Sequence, residues 1–308
     1  MNESRRKFLT NSTLVLGGSL LFSKIILANA TSLESKHTLG IQLYSIRDEM
    51  VKNPLGSLKL LAAMGYKNVE HANYEKGKFY GYPAKEFKKI LKDMGLKMPS
   101  GHSVMSAKHW DKSKMDFTDD WKQTIDDAAI AGQQYLISPW LDESLRKNYD
   151  ELAGFLDVFN KCGELCKKSG VKFGYHNHDF EFKYSLNNKS IYDIILEKTD
   201  PALVVQQIDI GNMYGAGGIA LDIIKKHPGR FESMHVKDVI KVPQKKDGES
   251  DYESTILGKG VIPVKEIIDL ALKTGGTKIF IIEQESYQNK TPMDCCKEDL
   301  KRMKDWKF

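Results

Sequence analysis

Short apolar runs alternate with amphipathic stretches eight times along this chain, and no other feature limits the possible folds as much. The runs are Leu39–Tyr44 (LGIQLY), Tyr66–His71 (YKNVEH), Leu96–His102 (LKMPSGH), Gln134–Ser138 (QYLIS), Val171–His176 (VKFGYH), Leu203–Asp209 (LVVQQID), Phe231–Val236 (FESMHV) and Lys278–Glu283 (KIFIIE). Helical patterns lie between them, such as AKEFKKILKDMG, DELAGFLDVFNKCGELCKKSG and VKEIIDLALKTGG, each closing on glycine as a helix stop. Strand starts that recur roughly every thirty to forty residues are the spacing of βα units, and eight such units predict a single-domain (β/α)8 TIM barrel. A doubly wound sheet would carry a glycine-rich phosphate loop after its first strand, where this chain has YSIRDEM. The one long irregular stretch, 241–260, follows the seventh run and is expected to form a lid or pocket wall.

The segment before the first run reads differently. Residues 1–30 combine the twin arginine Arg5-Arg6, an apolar stretch from Leu14 to Leu27 and the small-residue site Ala28-Asn29-Ala30. This is the pattern of a Tat-type export signal, so the chain is expected to use the Tat machinery and to act in the periplasm or otherwise outside the cytoplasm. Gly17, Gly18, Ser19, Ser23 and Lys24 interrupt the apolar stretch and leave it short of a stable membrane span. The expected domains are thus the signal, 1–30, and the barrel, 31–308. Within the signal, Arg5, Arg6, Lys7 and Lys24 against Glu3 account for three of the five net positive charges of the chain. The remaining balance, near +2, is too weak for nucleic-acid binding by phosphate neutralisation. Four cysteines fall as Cys162/Cys166 on one expected helix and as the vicinal pair Cys295-Cys296; neither spacing suits a zinc site or a disulfide.

A barrel brings the carboxyl ends of its strands to one face. The second run closes on Glu70-His71, the third on His102, and the fifth continues as GYHNHDFEF with His176, His178 and Glu181. The sixth closes on Asp209, the seventh on His235 and Lys237, and the eighth on Glu283 and Glu285. Several acids in one partly desolvated cup would raise each other's pKa, a penalty that a bound cation removes. Oxygen and imidazole donors without thiolates suit one divalent ion, Mn²⁺ first, with Co²⁺, Mg²⁺ or Zn²⁺ as alternatives.

The pieces GYHNHDFEF, QQIDIGNMYGAGG, SMHVKDV, ILGKGVIPVKEII and IFIIEQES together resemble the xylose isomerase-like TIM barrels. That group is called sugar phosphate isomerases/epimerases and is related to inosose dehydratase, ketose 3-epimerases and endonuclease IV. The resemblance implies a cation held by an acid of strand five, an Asp of strand six, a His of strand seven and a Glu of strand eight. In this chain these are Glu181, Asp209, His235 and Glu283. Strand five leaves two positions open: His176 at its very end, where many relatives carry the acid, and Glu181, which fits a dehydratase-like histidine pair followed by a later Glu. The expected ligand is Glu181, with His176 and His178 in the pocket. Asn212 stands where relatives with a DTGH pattern have His, which argues against a trinuclear site.

The resemblance implies a metal-dependent isomerase or epimerase that abstracts a proton next to a carbonyl of a small carbohydrate, with Glu181 and Glu283 as the acid/base pair. His176, His178, Lys237, His102 and Glu70 are expected to bind substrate, and Trp140 to stack on a sugar face. Two alternatives stay open: a lyase or hydratase acting on keto-sugars or oxidised glycosides, and a non-catalytic sugar-binding protein.

Overall fold

A computed structural model describes residues 37–243 and 251–308. The expected export signal lies outside the described residues. Each of the eight apolar runs supplies one strand: β1 (Thr38–Gln42), β2 (Asn68–His71), β3 (Lys97–His102), β4 (Tyr135–Ser138), β5 (Lys172–His176), β6 (Val204–Asp209), β7 (Ser233–Val236) and β8 (Ile279–Ile282). All pair in parallel with their sequence neighbours, and β1 pairs with both β2 and β8 to close the barrel. Among the described residues no helix is long and apolar enough to cross a membrane.

Strand alternation sorts the side chains into layers. Tyr135, Ile137, Val205, Ile279 and Ile281 form an apolar plug inside the barrel. The rest of the apolar surface packs outward against the helices, as in the helix Tyr149–Lys168. There Asn148 caps the N-terminus by accepting the N–H groups of Asp150 and Glu151. Leu152, Phe155, Leu156, Phe159, Cys162 and Cys166 form the buried stripe of that helix. Gly163 sits on the same face because a Cβ there would lie 2.2 Å from the Leu203 carbonyl oxygen. The four cysteines are free and buried.

Extra hairpins decorate the carboxyl-end face after β2 (residues 74–83) and after β3 (residues 110–117). The described part of the 241–260 stretch, 241–243 and 251–260, departs from its expected role. Asp238–Lys241 pairs antiparallel with Tyr252–Thr255, and the Asp238 carboxylate gathers the N–H groups of Gly258, Gly260 and Ile262. None of its described residues lines the large cavity, which is walled by strand ends and by other loops at the carboxyl-end face. Residues 244–250 of the expected lid lie outside the described residues.

Candidate metal centre and cavity

The register of the barrel aligns the site. Asp209 on β6 is paired with His235 on β7, and His176 on β5 with Gln207 on β6. Glu283 follows directly after β8. One donor atom from each of His176, Asp209, His235 and Glu283 lies within 4.8 Å of every other. This cluster of two imidazoles and two carboxylates, all buried, could bind a metal ion.

Glu181, the expected strand-five ligand, is not in this group; the strand-five donor in the cluster is His176. The reason is the pleat: His176 points into the barrel, so Tyr175 beside it points out. After β5 the chain turns into the short helix Phe180–Lys183, which brings Glu181 onto the side of Tyr175. Its carboxyl accepts a 2.5 Å hydrogen bond from the Tyr175 hydroxyl and a 2.9 Å bond from the His178 backbone N–H. Burial pushes its pKa up to about 7, against the opposing pull of those two donors. Glu181 therefore braces the loop that carries His178 and does not line the cavity.

Glu70 also differs from expectation. It lies beneath the cavity wall, fully buried, where Oε1 accepts from Gln42 Nε2 at 2.8 Å and sits 2.6 Å from His235 Nε2 and 3.1 Å from His102 Nε2. Its Oε2 accepts from Gln207 Nε2 at 2.8 Å. Burial opposes the Glu70 charge, but His102 and His235 hold its pKa well below the usual carboxylate range. A carboxylate facing Nε2 of His235 fixes that nitrogen as a donor and leaves Nδ1, 3.0 Å from Glu283 and 3.8 Å from Asp209, to face the acids. Burial works against a charge on His235, yet Glu70 and Glu283 on its two sides push its pKa up to about 10.

Lys237, expected to touch substrate, is 2% exposed and lies among acids, 3.0 Å from Asp209, 2.8 Å from Glu283 and 2.6 Å from Glu285. Burial disfavours its charge, but these three carboxylates raise its pKa well above the usual lysine value. Its ammonium occupies the place a cation would be drawn to. Even so, Asp209 Oδ2 makes no hydrogen bond although buried, since Lys237 approaches it at ion-pair distance without hydrogen-bond alignment. An orphaned buried carboxylate oxygen beside two imidazoles and a second carboxylate fits a divalent ion.

His102, His176, His178, Trp140, Asn212, Glu283 and Glu285 line a cavity of about 820 Å³ over this cluster. Burial and then the nearby Lys237 lower the His178 pKa to about 4, so its imidazole is neutral near neutral pH. Its ring meets Trp140 edge-on at 5.4 Å. Gln207, Gln42 and Asn177 are site residues that the strand-end reading passed over. Gln207 bridges Glu70, His102, His176 and Ser233. Asn177 accepts the Asp209 N–H and donates to the Asp209 carbonyl. The available signal was a polar residue inside an apolar run two positions before a candidate ligand, as in Gln207 and Asp209, which share a strand face.

A closed eight-stranded parallel barrel with a cup of acids and imidazoles at the carboxyl ends of its strands defines a (β/α)8 protein with an enzyme-like site. The chain belongs to the xylose isomerase-like TIM barrel family, which residues 58–306 match. It is 27% identical over 173 residues to an inosose dehydratase of Bacillus licheniformis, a match spanning 52% of this chain and 57% of that protein. The chain thus spans little more than half the length of this curated relative. A sugar phosphate isomerase/epimerase structure from Parabacteroides distasonis superposes with a TM-score of 0.73 at 26% identity, covering 89% of this chain and 95% of the other. The fold is shared also with the IOLI protein, solved with a zinc atom, at a TM-score of 0.68 and 14% identity over 87% of this chain and 97% of that one.

Proposed function

We propose that this protein is a divalent-metal-dependent sugar isomerase or epimerase that moves a proton next to a carbonyl of a small carbohydrate, and that it works outside the cytoplasm after Tat export. The observation that carries this reading is the convergence of His176, Asp209, His235 and Glu283, from or directly beside four adjacent strands, on one point under an open cavity. Those four would hold the ion, Mn²⁺ first, with Co²⁺, Mg²⁺ or Zn²⁺ as alternatives. When bound, the ion would polarise a substrate oxygen and stabilise negative charge there. The remaining work falls to the chain. Glu283 and neutral His178, both on the cavity wall, are the groups placed to take a proton from one carbon and return it to another. Glu181 holds His178 from behind, in place of the direct acid/base role expected of it. Lys237, kept charged by its acids, orients Glu283 and Glu285. Trp140 offers an aromatic face to the sugar ring.

The inosose dehydratase relatives support a second reading, a lyase or hydratase acting on keto-sugars or oxidised glycosides. It begins with the same proton abstraction. The hydroxyl on the next carbon then leaves with a proton as water, and a C=C bond forms between the two carbons.

Incubating the protein with a panel of keto-sugars in D₂O, with and without Mn²⁺, separates the readings by NMR. Deuterium entering a carbon-bound position with the sugar otherwise intact supports isomerase or epimerase chemistry; an olefinic signal and loss of water support the lyase. Sugar binding with neither exchange nor any new product in either condition would leave a non-catalytic binding protein and sink both.

A further inference from the structure

The cavity is larger than the acid–imidazole cup requires. At about 820 Å³ it lies near the top of the roughly 300–1,000 Å³ range of ligand sites. That is several times the space one six-carbon ring fills. The residues that line it fall into two groups: His102, His176, His178, Asn212 and Glu283 come from β3 and from the ends of β5, β6 and β8, while Tyr74–Gly77, Lys108, Asp120, Gln123 and Thr124 form an outer arm from the segments after β2 and β3. That arm lies between the hairpin at residues 74–79 and the start of the helix Asp119–Ala131. We infer that the outer arm is a subsite for a second, uncharged sugar ring, so that the substrate class is a glycoside or disaccharide. This rests on the carbohydrate reading proposed above.

Three observations carry it. First, the arm is built rigidly. Tyr74 from the hairpin donates a 2.6 Å hydrogen bond to Asp127 of the helix. Gly77, at φ +74°, brings its backbone close enough to the helix that a Cβ would lie 3.2 Å from Gln123 Nε2. Second, beyond the Trp140 assigned to the first ring, the cavity lining exposes two more large apolar side chains, Tyr44 and Val104, at 43% and 42% accessible. Leaving apolar groups at one polar rim suits a ligand with C–H faces to cover them, as sugar rings have. Third, the arm's charges balance. Lys76 and Lys108 are offset by Glu75 and Asp120, and Gln123 and Thr124 add neutral amide and hydroxyl groups. A phosphate would call for surplus cations or converging N–H donors; a ring of hydroxyls calls for paired donors and acceptors, which is what the arm presents.

The test is calorimetric titration of the Mn²⁺-loaded protein with D-glucose, cellobiose, maltose and glucose 6-phosphate. The expected result is that at least one disaccharide binds tenfold or more tightly than glucose, and more tightly than glucose 6-phosphate. In Gln123→Trp, and separately in Thr124→Trp, each filling the arm, the ratio of disaccharide to glucose affinity should collapse toward one. Equal affinities for disaccharide and glucose in the wild type, no binding of either disaccharide, or tightest binding of glucose 6-phosphate would each overturn the inference. Deuterium exchange on a monosaccharide with no disaccharide preference would sink the second subsite and leave the proposed chemistry standing. Disaccharide preference without exchange on any sugar would do the reverse.

Discussion

Replacing Lys237 by methionine tests the centre of the site most directly. The ammonium is the counter-ion for Asp209 and Glu283, both buried, and for the partly exposed Glu285, at 3.0, 2.8 and 2.6 Å. At an effective dielectric of about 20, one such pair at about 3 Å has a gross attraction of roughly 5 kcal/mol before desolvation is subtracted. Breaking a buried pair and leaving its partner charged costs about 3–5 kcal/mol net. Lys237→Met in the presence of a chelator should therefore lower the melting temperature by roughly 10 °C, at about 2–4 °C per kcal/mol for a chain of this size. A divalent ion held by Asp209 and Glu283 competes with the Lys237 ammonium for the same oxygens. In the variant that competition is gone, and the ion becomes the carboxylates' principal counter-charge. Wild-type protein should gain about 2.7 kcal/mol from an ion supplied at a hundred times its Kd, and the variant should gain more from the same ion at the same concentration. Thermal unfolding of both proteins with chelator, Mn²⁺ and Zn²⁺ measures this. If the ion shifts wild type and variant equally, or the variant not at all, the ion does not sit against Asp209 and Glu283 and the assignment of the metal centre is wrong.

Two further outcomes follow from the surrounding groups. Glu181, and Asp299 on the helix Pro292–Asp305 where it accepts the Leu257 N–H, are buried carboxyls each pushed up to about 7, chiefly by burial. Between about pH 4 and pH 7 the folded state holds their protons while the unfolded chain releases them, so stability falls as pH rises through that window, by up to about 3 kcal/mol from Glu181 and about 4 kcal/mol from Asp299. In chelator, raising the pH from 5 to 8 should cost the wild type more stability than it costs the combined Glu181→Gln and Asp299→Asn variant, and an equal pH dependence of the two would refute the burial of these carboxyls. Glu70→Leu leaves the donors of Gln42, Gln207 and His235 without their shared acceptor, and it should cost about 3–5 kcal/mol in urea denaturation. A loss under 1 kcal/mol would mean these groups find other partners.

The barrel was legible because its signal is local. Each strand is a short run of apolar residues, and the period between runs gives the βα count without any long-range information. Asp209, His235 and Glu283 were legible for a related reason: each stands at the end of its run, and a barrel gathers strand ends on one face. Glu181 was not legible. Its place depends on whether the chain continues extended past His176 or turns, and the turn at 177–179 is decided by contacts distant in sequence, such as Asn177 with Asp209. Glu70 misled for another reason, since a strand-end acid reads alike whether it faces the cavity or lies under two histidines.

The sequence by itself thus determined the architecture, the face on which the chemistry gathers, and three of the four clustered donors, because periodicity and strand ends are properties of the chain. Only the tertiary structure decided that His176 completes the cluster, that Lys237 is buried as a counter-ion, and that the cavity extends past the cup between the 74–79 hairpin and the helix Asp119–Ala131. Those outcomes depend on strand register and on how loops fold over one another, and neither is written in any single stretch of residues.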